Sequence, residues 1–218
     1  MASSKLFQVS SCNCIFYISN NVIVLGCGPV GLLAQKFCWL NGAERVIAVD
    51  YIDYRLKHAK KYNKVETVNF EQHDNTGEYL REITHGGADI VIDCVGMDGK
   101  MTPLEFLGTG VKLQSGALGG FVIATQAVRK GGMIQVTGVY GGRYNGFPFG
   151  DIINRNINIR TGQAPVIPYM PTLYNLIVKN KVDPSDIVTH KLPLNKAPHG
   201  YEVFDTKTED CIKVVLKP

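Results

Sequence analysis

No apolar run in this 218-residue chain approaches the roughly twenty residues that a membrane span needs. The stretch after Lys5 is interrupted by Ser10, Ser11 and Asn13, so it lacks a signal-peptide core. The expectation is a cytoplasmic protein with no membrane partner. Charge of one sign is lacking too: 23 Lys and Arg stand against 19 Asp and Glu, a net charge of +4. The one basic cluster, Arg55-Leu56-Lys57-His58-Ala59-Lys60-Lys61, reads as the solvated face of a helix. No second basic patch supports it, so nucleic acid is not an expected partner. Six cysteines are too few and too scattered for a disulfide framework in a chain of this size, which points to reduced thiols. Cys12-Asn13-Cys14 has no second pair and no nearby His, and a structural metal site needs two more ligands. His85, His190 and His199 read as a helix-end, a packed and an exposed histidine, not as a zinc set. There is no internal repeat and no low-complexity tract.

What is present is a glycine turn in a telling place. The apolar run Val22-Ile23-Val24-Leu25 leads into Gly26-Cys27-Gly28-Pro29-Val30-Gly31, and nineteen residues after Gly31 a second apolar run, Val46-Ile47-Ala48-Val49, ends in Asp50. Strand, glycine turn, helix, strand and terminal acid in that order form a dinucleotide-binding fingerprint. Gly26 permits the tight turn, Gly28 lets backbone approach a pyrophosphate, and Gly31 allows close packing of the first helix. Pro29 fits the first helical turn, where its missing N–H costs nothing. The helix N-terminus offers N–H groups and positive partial charge to phosphates. Asp50 is placed to accept hydrogen bonds from a ribose diol and to repel a 2′-phosphate, which favours NAD.

The same alternation continues. Strands are predicted at 22–26, 45–49, 67–70, 88–96, 133–138 and 157–161, and helices at 29–41, 53–62 and 76–84. A further helix runs through 123–128 and ends at Gly131-Gly132. Residues 97–115 read as a loop. This order implies an α/β, doubly wound, six-stranded parallel sheet of the Rossmann type, with its ligand crevice at the carboxyl ends of the central strands. Three domains are expected: an unassigned segment at 1–20, the NAD-binding unit at 21–163 and a C-terminal segment at 164–218. Pro165, Pro168 and Pro171 mark the second boundary. A helix over 171–180, a strand at 187–190, a helix at 197–204 and a last strand at 211–216 follow.

These stretches together resemble the C-terminal, cofactor-binding part of zinc-dependent medium-chain alcohol dehydrogenases, near the bacterial formaldehyde dehydrogenase branch. Supporting motifs are Gly26 to Gly31, Asp93-Cys94-Val95-Gly96-Met97, Val128-Arg129-Lys130-Gly131-Gly132, Val136-Thr137-Gly138-Val139-Tyr140-Gly141-Gly142, Gly162-Gln163-Ala164-Pro165, Thr189-His190-Lys191-Leu192-Pro193-Leu194 and Cys211-Ile212-Lys213-Val214-Val215. The resemblance covers residues 22 to 218. It implies that Asp50 and Arg55 hold the adenosine ribose, that Val95 and Gly96 lie on the adenine side, that Gly138 and Val139 flank the nicotinamide, and that Lys213 reaches the pyrophosphate.

It also implies a barrel-like catalytic domain carrying the zinc ligands, and this sequence offers no visible set of three such ligands, so no catalytic and no metal residue is assigned. Zinc belongs to the intact family, and polarises the oxygen of an alcohol or aldehyde substrate. The resulting expectation is a truncated, NAD-linked alcohol dehydrogenase that keeps the cofactor domain and is not active alone. Two alternatives stay open: a free-standing NAD-binding sensor or interaction module, and a zinc-independent reductase. The segment after Gly162 normally completes the catalytic domain. Its apolar strands, Ile187-Val188 and Ile212 to Leu216, are therefore expected to leave faces uncovered. Homo-oligomerisation is expected through the edge strand Ile157 to Thr161.

Overall fold

A computed structural model describes residues 8–9, 12–15, 21–96, 118–140 and 146–218. Two short antiparallel strands, β1 (Gln8–Val9) and β2 (Cys12–Ile15), lie within the segment that carried no sequence assignment. Strand β3 (Asn21–Leu25) leads through the glycine turn into α1 (Pro29–Leu40). Strand β4 (Arg45–Asp50) is followed by α2 (Asp53–His58), whose last turn widens into a π-helical turn over Ala59–Asn63. Strand β5 (Glu66–Asn69), α3 (Thr76–Ile83) and β6 (Ala88–Asp93) complete the first half. The second half continues with α4 (Gly119–Ala127), β7 (Val128–Val136), α5 (Phe149–Asn154) and β8 (Asn158–Thr161). The six strands run parallel in the order β5-β4-β3-β6-β7-β8.

The sequence explains why this sheet forms. Val22, Ile23, Val24 and Leu25 are all buried, because a parallel sheet is covered on both faces. Alternate residues go to opposite layers. Val22, Val24, Val46, Ala48, Ile90 and Ile92 pack with Leu32 and Leu56 from α1 and α2. Ile23, Leu25, Ile47, Val49, Val91 and Ile134 pack with Leu80, Phe121 and Ala124 from α3 and α4. Each such branched side chain contributes about 1.5–3 kcal/mol on burial.

Three elements differ from expectation for identifiable reasons. The fourth helix ends at Ala127, and Gly131-Gly132 lie inside β7. There they form a bulge: Ala88 pairs with Val128 and Ile90 with Met133. Gly131 has φ +69°, and a Cβ on Gly132 would stand 2.6 Å from Val128 Cγ2. Helix α5 was not foreseen, since its six residues carry little periodicity. The helix assigned to 171–180 runs instead as α6 (Val166–Val178), with Pro171 in its interior. Pro168 falls in the first turn, where no N–H is needed. The expected loop at 97–115 lies outside the described residues.

The C-terminal segment closes with β9 (Val188–Pro193), α7 (Ala197–Asp205) and β10 (Lys213–Lys217), a βαβ unit whose two strands pair in parallel apart from the main sheet. It is not left uncovered throughout, as the sequence suggested. Ile187 and Ile212 are buried in the same core cluster as Leu32 and Leu56. Asp186 adds a polar clasp: its carboxylate meets Lys36 Nζ at 2.5 Å and His58 Nε2 at 2.9 Å. Helix α6 is different. None of its residues is buried, and Val166, Ile167, Met170, Tyr174, Ile177 and Val178 are all exposed.

Candidate functional site

The glycine turn sits where β3 ends. Gly26 has φ +89°, a left-handed conformation that L side chains avoid, and its N–H donates to Val49 O at 2.7 Å. A Cβ on Gly31 would lie 1.9 Å from Gly26 O, so the first turn of α1 folds back onto the glycine turn itself. Gly28 is the residue before the helix, has no capping side chain, and is followed by Pro29 at the first helical position. The space a Cβ would fill on Gly28 is bounded only by Arg55 Nη1 at 3.9 Å. Val30, next on α1, is exposed. Open backbone, a helix N-terminus with unshared N–H groups and a guanidinium beside it make a cradle suited to a phosphate.

Asp50 ends β4, only 6% exposed. Its Oδ2 accepts from Cys27 N at 2.6 Å, and its Oδ1 accepts from Tyr51 N at 2.7 Å and Ile52 N at 3.0 Å. The carboxylate thus holds the glycine turn against the end of the neighbouring strand. Of about four acceptor sites on a carboxylate, three are taken, and Oδ2 keeps one. Behind the turn, the Cys27 thiol is buried, and burial together with the nearby Asp50 charge pushes its pKa well above the ordinary thiol value. It remains a thiol. Gln35 Nε2 donates to Cys27 Sγ at 3.5 Å, and Asn63 Nδ2 donates to Gln35 Oε1 at 2.8 Å, tying the turn to α1 and the π turn.

The second group lies at the ends of β6 and β7. A Cβ on Gly26 would stand 3.3 Å from Val95 Cγ2, so the two strand ends lie close together. Gly96 has φ +63°, and a Cβ there would be 2.6 Å from Val139 N. A Cβ on Gly138 would be 2.3 Å from Gly96 N. The two glycines therefore cross back to back. Val139, just beyond, is 60% exposed at the sheet's carboxyl edge.

Two residues that sequence reasoning did not single out hold this crossing. Asp93, fully buried, accepts from Tyr140 Oη at 2.5 Å through Oδ2 and from Val95 N at 2.9 Å through Oδ1. Burial pushes its carboxyl pKa up, opposed by the bonds from Tyr140, Val95 and Gly96. The signal was an acid at the end of an otherwise apolar strand.

The structure thus brings Gly26, Gly28, Pro29, Val30, Gly31, Asp50 and Arg55 into one cradle, and Val95, Gly96, Gly138 and Val139 into an adjoining one. Lys213 is placed less directly. Its N–H and carbonyl both meet Thr189 Oγ1, and the chain two residues earlier reaches the site: Tyr54 Oη donates to Cys211 O at 2.9 Å, and Arg55 Nε donates to Tyr54 Oη at 3.3 Å. Two of the five histidines converge on an exposed acid: His190 Nε2 and His199 Nε2 lie 3.5 and 3.6 Å from the two Glu209 oxygens. Among the described residues no group of three or more His, Cys, Asp or Glu side chains is arranged to hold a metal ion, so zinc finds no fit there. Nor is any described helix long and apolar enough to cross a membrane.

Residues 29–107 match the model of a family described as zinc-binding dehydrogenase. An uncharacterized zinc-type alcohol dehydrogenase-like protein of Bacillus subtilis (strain 168) is 70% identical over 199 residues, which are 91% of this chain and 53% of that protein. Over nine-tenths of its length the chain is similar to zinc-type alcohol dehydrogenase-like proteins. A glutathione-independent formaldehyde dehydrogenase of the same organism is 29% identical over 200 residues, covering 85% of this chain and 47% of that one. Among solved structures, an alcohol dehydrogenase from Thermus sp. ATN1 superposes with a TM-score of 0.77 at 30% identity, over 92% of this chain and 52% of that chain. The chain spans about half the length of the curated relatives it matches.

Proposed function

We propose that this chain binds NAD across the carboxyl ends of its six strands and is the cofactor-holding part of an NAD-linked, zinc-type alcohol dehydrogenase. The observation that carries the reading is the open face over Gly28, with Arg55 on one side and the Asp50 carboxylate tethered to Cys27 N–H. The pyrophosphate lies on the N-terminus of α1. The ribose diol meets the spare acceptor site of Asp50 and the Arg55 guanidinium, and the Asp50 charge disfavours a 2′-phosphate. The nicotinamide end reaches Gly138 and Val139. Lys213 approaches the pyrophosphate from the C-terminal segment. Bound NAD supplies a hydride acceptor; the protein orients it.

The substrate class is a small alcohol or aldehyde, as in the names of the relatives, and the compartment is the cytoplasm. The metal that polarises such a substrate has no fit among the described residues. A second reading, an NAD-binding module without a reaction, draws on the same lack of fit. The two separate on one result: zinc-dependent alcohol oxidation regained on adding a polypeptide that carries Cys and His ligands supports the enzyme and excludes the module.

Cofactor choice tests the site itself. By calorimetry, NAD binds more tightly than NADP, and Asp50→Ala weakens NAD by about 1–3 kcal/mol while narrowing the gap to NADP. Equal NAD affinity before and after the change contradicts the role given to Asp50.

A further inference from the structure

The proposed cofactor site does not use a buried carboxylate that lies directly behind it. Asp93 closes β6, and its backbone carbonyl accepts from two consecutive N–H groups, Thr137 at 2.8 Å and Gly138 at 2.9 Å. Its side chain accepts from Val95 N and from Tyr140 Oη, with the backbone of Gly96 also bonding to the carboxylate. One residue therefore grips both strands that end at the nicotinamide side of the crevice. The gripped segments are Val95-Gly96 and Thr137 to Tyr140. The Gly96–Gly138 crossing lies between them, where a Cβ on either residue would fall within 2.6 Å of the other segment's backbone.

A third element bears on the pair. A Cβ on Gly120, in the first turn of α4, would stand 3.3 Å from Asp93 Oδ1 and 3.5 Å from Tyr140 Oη. The positive end of that nine-residue helix thus faces the carboxylate. A buried charge is kept only where donors satisfy it, and here those donors are the groups whose position defines the crevice wall. Among the described residues Tyr140 is the one side chain that donates to that carboxylate, and it reaches Asp93 from 47 positions along the chain.

We infer that Asp93 and Tyr140 are positioning residues for the nicotinamide end of the cofactor: the Tyr140 hydroxyl, bonded to Asp93, holds Gly138-Val139 against Gly96 and so sets the wall on which the nicotinamide ring rests. This rests on the NAD-binding reading above. The physical reason is that Val139 is exposed and that, among the described residues, strand pairing ends at Val136, which pairs with Asp93 and Thr161. The two bonds to the Asp93 carbonyl fix Thr137 and Gly138, and the Tyr140–Asp93 bond fixes the chain on the far side of Val139. Removing it frees one end of a short arch. The adenosine half, at Asp50 and Gly28, lies on β3 and β4 and does not depend on that arch.

The test compares two ligands on the full chain. NAD spans both halves of the site; ADP-ribose carries the same adenosine, pyrophosphate and second ribose but no nicotinamide. Tyr140→Phe is expected to weaken NAD at least fivefold while changing ADP-ribose less than twofold, both by calorimetry, with a cooperative thermal transition retained. Tyr140→Phe binding both ligands as the wild type does overturns the inference. Equal weakening of both ligands also overturns it, because it shows a general structural role. Should Tyr140→Phe fail to fold, Asp93→Asn, which keeps an acceptor for the Tyr140 hydroxyl, is expected to retain the NAD to ADP-ribose ratio of the wild type within threefold; a larger loss of NAD alone than of ADP-ribose at full Tyr140 bonding overturns the assignment to the hydroxyl. Wild-type protein that binds neither ligand instead overturns the NAD-binding reading.

Discussion

At the scale of single residues, the site depends on atoms that are absent as much as on those present. Gly31→Ala places a methyl 1.9 Å from Gly26 O, and the backbone of a tight turn has little freedom to yield. The expected cost is about 1–3 kcal/mol of stability, read by denaturant unfolding, together with loss of NAD affinity; an unchanged midpoint contradicts the packing described. Charge acts differently at the sheet's far edge. Arg45 donates twice to Glu66, and that bonding holds the Glu66 carboxyl below the usual carboxylate range. A depressed acid contributes stability above its unfolded pKa and loses it as pH falls through the folded one. Glu66→Gln therefore costs about 0.2–1 kcal/mol at neutral pH, as an exposed pair does, and nothing in strong acid. A pH-independent difference contradicts this. The placement of the glycines and Asp50 was legible because it follows from a local order of strand, turn and acid. The Asp93–Tyr140 bond was not, since nothing in the chain between two residues 47 positions apart encodes which tyrosine meets which acid.

At the scale of elements, local chemistry and tertiary context divided the work. Strands β3, β4 and β6 were readable from continuous apolar runs, and Pro29 marked the start of α1. The bulge in β7 was not, because two glycines after a helical pattern usually end the helix; here Gly132 is forced by contact with Val128 and Asp89 across the sheet. Arg129 Nε bonds Asp89 Oδ1 at 2.6 Å and fixes the same bulge. Pro171 similarly read as a boundary, yet α6 passes through it. The attachment of the C-terminal segment is an element-scale matter as well. Asp186 is shared by Lys36 of α1 and His58 of α2, and all three side chains are largely buried. Asp186→Ala leaves the Lys36 charge without its carboxylate, at a cost of about 3 kcal/mol. Hydrogen exchange should quicken across 185–193 while β3, β4 and β6 stay protected; uniform protection in the variant contradicts the clasp.

At the scale of the whole molecule, the described surface is uneven. Helix α6 presents Ile167, Met170 and Tyr174 to solvent, and among the described residues β8 is the outermost strand of the sheet, with Ile159 partly exposed. Apolar patches and open edges seek partners. The purified chain is expected to self-associate with rising concentration in sedimentation experiments, and Ile159→Lys to reduce association through β8; a monomer at every concentration contradicts this.

The central claim is that NAD lies across the strand ends, from Asp50 to Val139. Hydrogen exchange of the full chain with and without saturating NAD tests it most directly. The prediction is slowed exchange in 26–32, 50–55, 94–96 and 137–140, with β8 and α6 unchanged. Unaltered exchange in both 26–32 and 137–140, or protection confined to another surface, contradicts it.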